Sequence, residues 1–261
     1  MSEYQTILFE KKEGVAVITM NRPETLNALE VLLERELLQA LRSCFEDEEA
    51  RAVLLTGAGR AFSSGGDMKK MEKGLEIFEG KSWVEDGGNL GEAITLLPKP
   101  VVAAVNGPAV GGGANLALFC DFVIASEKAF FSQIFAQVGL IPDAGGHWIL
   151  PRLVGYRKAI ELIFSAERTD ARRALELGLI NKVVPAGTLM EEAFSLAKKL
   201  AQGPTRAFGL TKAILRKSFS SDLKEILEME ALSQSLTFAT RDHREAVQAF
   251  RQKRPPNFQG K

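Results

Sequence analysis

The chain has 261 residues, 46% of them apolar, with 33 basic and 33 acidic side chains. That size suits one large domain, or one core with an appendage, and the balanced charge gives no basic field to draw nucleic acid or an anionic membrane. Cys44 and Cys120 lack CxxC spacing and His147 and His243 are the only histidines, so neither a disulfide framework nor a metal site is expected.

The amino-terminal stretch MSEYQTILFEKKEG carries charge early and has no apolar signal core. The most apolar region, from Val101 onward, is broken by Asn106-Gly107-Pro108 and three glycines, which is too interrupted to span a membrane. The expectation is a soluble, cytoplasmic protein. Val15 to Met20 is a short continuous apolar run and reads as a buried strand. Leu29, Leu32, Leu33, Leu37, Ala40 and Leu41 then recur at helical spacing, which predicts a helix from Ala28 to Phe45. Ala52 to Thr56 is a second strand. The segment from Lys69 to Gly91 is charged and weakly periodic, and is expected to be a mobile loop with a helical turn or more. Val101 to Val105 is a third strand and Phe122 to Ala125 a fourth. Strands alternating with helices predict parallel crossovers. Four amphipathic helices, 189–201, 205–217, 222–237 and 241–253, follow with no strand between them. The expected division is an α/β core over 1–195 and a helical region over 196–261.

Three segments stand out chemically. In "GRAFSSGGDMKKM", residues 59–71, a turn with Asp67 or a serine as helix cap is the bland reading. In "VVAAVNGPAVGGGANLAL", residues 101–118, an apolar strand enters Gly111, Gly112 and Gly113 and leaves as a helix. Either the glycines only make a tight connection, or they expose main-chain N–H groups at a helix start to an oxygen carrying negative charge. The spacing is neither a Walker loop nor a dinucleotide fingerprint. In "QVGLIPDAGGHWILPRLVG", residues 137–155, Asp143 is either the cap of the next helix or a carboxylate among Leu140, Ile141, Trp148 and Ile149. Such surroundings disfavour its charged form and would make it a usable general base near neutral pH.

Together these segments resemble the crotonase, or enoyl-CoA hydratase/isomerase, superfamily. The resemblance rests on "NRPETLNAL", "AFSSGGDM", "AAVNGPAVGGGANLAL" with "CDFVIAS", and "GLIPDAGG" followed by "LPRLVG". "LGLI", ending at Ile180, and "AFRQKRPPNF", from Ala249 to Phe258, continue it. It implies an α/β fold with a stacked ββα superhelix core and a C-terminal helical region. It also implies an acyl-CoA thioester substrate, with no cofactor beyond that CoA, and a homotrimer or dimer of trimers. The thioester oxygen is expected between the main-chain N–H groups of Gly66 and Gly112, where enolate charge develops.

A hydratase of this family uses two glutamates, and the matching positions here hold Asn115 and Phe135. Neither exchanges a proton near pH 7. Asp143 is a different carboxylate, in the turn where hydratases tend to have Gly. The sequence is most similar to the ring-1,2-epoxyphenylacetyl-CoA isomerase group of phenylacetate breakdown, where the corresponding Asp is the acid/base. The expected function is therefore a double-bond shift, from 3-enoyl-CoA to 2-enoyl-CoA, or a ring-epoxide rearrangement, through Asp143. One alternative is a hydratase or acyl-CoA hydrolase working through Asp143 and water. Another is a non-catalytic acyl-CoA-binding or RNA-associated protein. Leu26, Ser64, Asp67 and Met68 are expected along the CoA path. Phe250 and Lys253 match the adenine end, though Lys253 beside Arg251 and Arg254 also reads as a solvated charge. Asn115 either orients Asp143 or a water, or bonds within its helix.

Overall fold

The structure, a computed structural model, describes residues 4–68, 72, 74 and 76–261. β1 (Ile7–Lys12) and β2 (Val15–Met20) form an antiparallel hairpin. α1 (Val31–Glu46), β3 (Ala52–Gly57), α2 (Ile77–Leu96) and β4 (Val101–Val105) follow. Two strand–strand–helix turns come next: β4, β5 (Ala109–Val110) and α3 (Gly112–Phe119), then β6 (Phe122–Ser126), β7 (Phe130–Ser132) and α4 (Gly146–Ser165). The first strand of each turn joins a six-stranded sheet and the second a three-stranded one. β8 (Thr169–Asp170), α5 (Ala171–Glu176) and β9 (Lys182–Val184) extend the two sheets. The large sheet runs β1-β2-β3-β4-β6-β9, parallel at every pairing but the first. The expected stacked ββα core is thus present.

The central strands are buried on both faces, which is why they read as continuous apolar runs and not as alternation. One face carries Ile18, Leu55 and Ala103 against α1, α2 and α3. The other carries Val17, Leu54, Val102 and Ile124 against α6 (Leu189–Ala201). α6 meets it with Leu189, Ala193, Ala197 and Ala201, one residue per helical turn. The expected division at 195/196 falls inside this helix. α6 is a layer of the core, and the purely helical region begins beyond Ala201.

α7 (Thr205–Lys217), α8 (Leu223–Phe238) and α9 (Arg241–Arg251) complete the chain. α8 buries no residue and exposes Leu223, Leu227, Leu232 and Leu236. The C-terminal tail is tied back to the core by Arg51, whose guanidinium donates to the carbonyls of Gly203 at 2.6 Å and Phe258 at 2.9 Å.

One expected element is corrected. The stretch read as a loop from Lys69 to Gly91 is helical from Ile77, as α2. Its part over 69–71, with 73 and 75, lies outside the described residues. The inner face of α2 is Trp83, Gly87, Leu90, Gly91 and Ile94. Two of those five are glycines, so the apolar period is faint. A Cβ on Gly91 would stand 2.8 Å from the Phe119 ring, so a larger residue there would push α2 off α3. β1, with its exposed charges, and the short strands β5, β7, β8 and β9 are not predicted by the periodicity.

Candidate functional site

Two glycine segments lie side by side. The Ser63 carbonyl accepts from the Val110 N–H at 3.0 Å, which aligns residues 63–66 with the chain entering α3. Gly111 has φ 54° and ψ −126°, a backbone conformation open essentially to glycine alone. This sharp turn starts α3 at Gly112. The first N–H of a helix has no acceptor within it, so the Gly112 N–H is available at the positive helix end. A Cβ on Gly113 would stand 2.6 Å from the Ser63 side chain, and one on Gly65 would stand 2.6 Å from the Val110 carbonyl. The glycines therefore do more than turn the chain: they let the two segments touch.

The Gly66 and Gly112 segments open onto a narrow cavity. Its lining includes Leu29, Glu34, Trp83, Gly87, Asp143 and Ala144. The Asp143 carboxylate lies beside Gly112, with Oδ1 3.5 Å from where a Cβ would stand. Burial pushes the Asp143 carboxyl up to about 6, a shift opposed by a hydrogen bond from its own main-chain N–H. Larger grooves, lined by residues such as Leu210, Ile214 and Leu227, run along the C-terminal helices. Among the described residues, only the small cavity combines an elevated carboxyl with a glycine-opened helix start.

Asp143 does not cap α4 with its side chain; the cap position is Gly145 and has no side-chain bond. Nor do its own segment's apolar residues enclose it. Leu140 is 48% and Ile141 76% exposed. Its walls come from the loop before α1 and from α2. The turn is braced twice. The Asn115 amide donates to the Asp143 carbonyl at 2.8 Å, and Gln133 Nε2 donates to Asn115 Oδ1 at 2.8 Å. On the other side the Phe119 ring fills the space beside Gly145 and stacks on Trp148 at 6.0 Å, while the Arg152 guanidinium lies 4.0 Å from the Trp148 ring centre.

Other expected site residues fall into three groups. Phe135 is buried and its ring reaches 3.5 Å from the Cβ point of Gly111, so it is an apolar wall behind the glycines. Leu26, at φ 56°, accepts from the Ser64 N–H at 3.0 Å, and the Ser64 hydroxyl donates to the Thr25 carbonyl at 3.2 Å. Asp67 is half-buried and Met68 exposed directly after Gly66. These residues form one continuous loop surface. Phe250, 86% exposed, and Lys253 sit at the end of α9 and do not line the cavity. His147 is exposed.

Sequence reasoning missed Glu34, Trp83, Gly87 and Gln133. The helical period of α1 assigned only its apolar positions. A charged residue between Leu33 and Arg35 gives no sign that it faces a cavity. Asn27 was also missed: buried, it donates to the Ala58 and Ala61 carbonyls at 3.0 and 2.9 Å and accepts from the Arg22 N–H at 2.9 Å. It holds the loop that carries Leu26 and Leu29.

The sequence model of enoyl-CoA hydratase/isomerase matches residues 10–261. A probable enoyl-CoA hydratase of Rhodobacter capsulatus is 44% identical over 259 residues, 99% of each chain. The 1,2-epoxyphenylacetyl-CoA isomerase of Escherichia coli is 40% identical over 258 residues, 98% of each chain. The crystal structure of an enoyl-CoA hydratase from Bacillus anthracis superposes with a TM-score of 0.94 at 37% identity, covering 98% of this chain and 100% of that one. Agreement of this extent, in sequence and in the winding of the sheets, makes the chain a member of the enoyl-CoA hydratase/isomerase family, with the crotonase fold.

Proposed function

We propose that the protein is an acyl-CoA isomerase that moves a double bond from C3 to C2, or rearranges a ring-epoxide acyl-CoA, with Asp143 as acid/base. The observation that carries this reading is Asp143 itself: a half-buried carboxyl, raised to about 6, beside the first N–H of α3. Its ionised form takes a proton from C2 of a 3-enoyl thioester. The charge moves onto the thioester oxygen, which rests between the N–H groups of Gly66 and Gly112. Loss of one such donor typically costs about 2.7–4 kcal/mol of barrier stabilisation. Return of a proton at C4 gives the conjugated 2-enoyl-CoA, and no cofactor beyond the substrate's CoA takes part.

Two further features support a shift over a hydration. Asn115 is committed to the Asp143 carbonyl, and Phe135 offers only a ring. Neither helps to activate a water. The E. coli relative named as an isomerase supports the same reading. A second reading, hydration of a 2-enoyl-CoA by water activated at Asp143, is favoured by the name of the R. capsulatus relative. On either reading CoA runs along Leu26, Ser64, Asp67 and Met68. Phe250 and Lys253 reach the adenine end once copies of the chain assemble as a trimer or a dimer of trimers. The deciding experiment offers 3-enoyl-, 2-enoyl- and ring-epoxide acyl-CoAs to the purified protein. Isomerisation fastest of the three supports the proposal; hydration fastest overturns it.

A further inference from the structure

The cavity that holds Asp143 holds a second carboxylate. Glu34, in the first turn of α1, is 2% exposed and lines the same space as Gly66, Gly112, Trp83 and Asp143. Its position relative to Asp143 is set by Gly87 on α2. A Cβ at Gly87 would stand 3.5 Å from Glu34 Oε1 and 3.8 Å from the Cβ of Ala144, the residue next to Asp143. The Glu34 carboxylate and the Asp143 turn are therefore separated by no more than those two distances combined. They face one another across the bare backbone of α2. Asp143 Oδ1 is the carboxylate oxygen beside Gly112, whereas the Glu34 carboxylate lies beside Gly87 of α2 in the same cavity.

We infer that Glu34 is a second acid/base of the double-bond shift, serving C4 while Asp143 serves C2. The inference rests on the isomerase reading. The shift needs one carboxyl to take a proton and another to give one. In the productive state Asp143 is ionised and Glu34 holds the proton. Asp143 takes the proton from C2, and the C–H electron pair becomes the enolate. The enolate collapses: the C1–O⁻ pair reforms the thioester carbonyl, a C2–C3 double bond forms, and the old C3–C4 π pair takes the proton of Glu34 at C4. Asp143 ends protonated and Glu34 ionised, with no net gain or loss of atoms or electrons. Proton exchange with solvent resets the pair.

The test follows two readouts in D2O with a 3-enoyl-CoA: formation of 2-enoyl-CoA, and deuterium entering C2 of the recovered substrate. Wild type, Glu34→Gln, Glu34→Asp and Asp143→Asn are compared, with circular dichroism as the folding control. Glu34→Gln is expected to slow the shift by about 100-fold, in the range for loss of a positioned acid/base, while C2 exchange stays within a few-fold of wild type. Glu34→Asp recovers part of the shift, and Asp143→Asn loses both readouts. A shift in Glu34→Gln within a few-fold of wild type overturns the inference. So does equal loss of shift and exchange in a folded Glu34→Gln, which marks a structural role. If Glu34→Gln does not fold, Glu34→Asp decides: a shift lowered more than exchange supports the inference, and equal lowering overturns it. A wild-type protein that makes no 2-enoyl-CoA instead overturns the isomerase reading itself.

Discussion

The Asn115 side chain and the Asp143 main chain are joined by a 2.8 Å hydrogen bond from Nδ2 to the carbonyl. The bond runs from the first turns of α3, which carry the Gly112 N–H, to the turn that carries Asp143, the proposed acid/base. It ties the Asp143 turn to the start of α3. Asn115 is fully buried, and Gly146 leaves room for it: a Cβ there would stand 2.5 Å from Nδ2. Asn115→Ala is expected to lower kcat of the shift by about 10- to 100-fold with little change in KM, since a displacement near 1 Å at a reacting group costs on that order. Stability falls by about 1–3 kcal/mol, because the Gln133 amide loses its acceptor. Steady-state kinetics and urea unfolding check both. An unchanged kcat would sever the link.

The elevated Asp143 carboxyl sets a pH dependence. With Asp143 as the base and Glu34 as the acid, kcat/KM rises with pH, reaches half its maximum near the Asp143 value of about 6, and falls again at higher pH where Glu34 loses the proton it gives to C4. The stability effect has the opposite sign. A carboxyl raised in the folded state binds more protons there than in the unfolded chain, between its ordinary value of 3.8 and about 6. Its contribution is present below 3.8 and is lost as pH rises through about 6. Asp143→Asn removes that loss. The variant is expected to be inactive, yet more stable than wild type at pH 7.5 by on the order of 2 kcal/mol, a gap that closes below pH 4. Urea unfolding at the two pH values measures it, and equal gaps at both would contradict the burial of Asp143.

Parts of this site are legible in the chain and parts are not, for physical reasons. The strands Val15–Met20 and Val101–Val105 are buried on both faces, so their runs are unbroken and their ends are sharp. α6 and α7 present clear apolar stripes and match the predicted spans. Asp143 and the glycines are legible because a turn signal and a triple glycine are rare in composition. Glu34 is illegible because a helical period marks which side of a helix is apolar, not which charged residue looks into a hole. α2 is illegible because Gly87 and Gly91 stand at its contact positions, where the pattern expects large side chains. The tie between Asn115, Gln133 and Asp143 joins residues from three separate segments, and no local pattern encodes it.

Hydration of crotonyl-CoA by the wild type is expected to be slow beside its double-bond shift. Placing Glu at both Asn115 and Phe135 is not expected to raise it. The first change breaks the bond to the Asp143 carbonyl and presses a longer side chain against Gly146. The second puts a carboxylate where a buried ring now packs beside Gly111, and an unpaired buried charge is strongly unfavourable. The double variant should lose about 3 kcal/mol or more of stability. Coupled hydration assays and thermal unfolding give both numbers. A folded double variant with faster hydration would show that the glutamate positions still face the thioester.

The last prediction concerns the N–H of Gly112. Gly112→Pro removes this donor, but it also alters the backbone at the start of α3 and confuses loss of chemistry with loss of fold. Ligand chemistry separates the two. An acyl-CoA with its thioester oxygen intact should shift or protect the Gly112 main-chain amide, because the oxygen accepts from it. A thioether analogue without that oxygen should still bind through CoA along Leu26, Ser64 and Met68, yet leave the Gly112 amide as in the free protein. The Gly113 amide provides the internal control, since it lies one residue further into α3. Amide chemical shifts, or crystal structures with each ligand, distinguish the cases. The same response at Gly112 to both ligands would mean that the glycines only bring Ser63 and α3 into contact, and that the enolate is stabilised elsewhere.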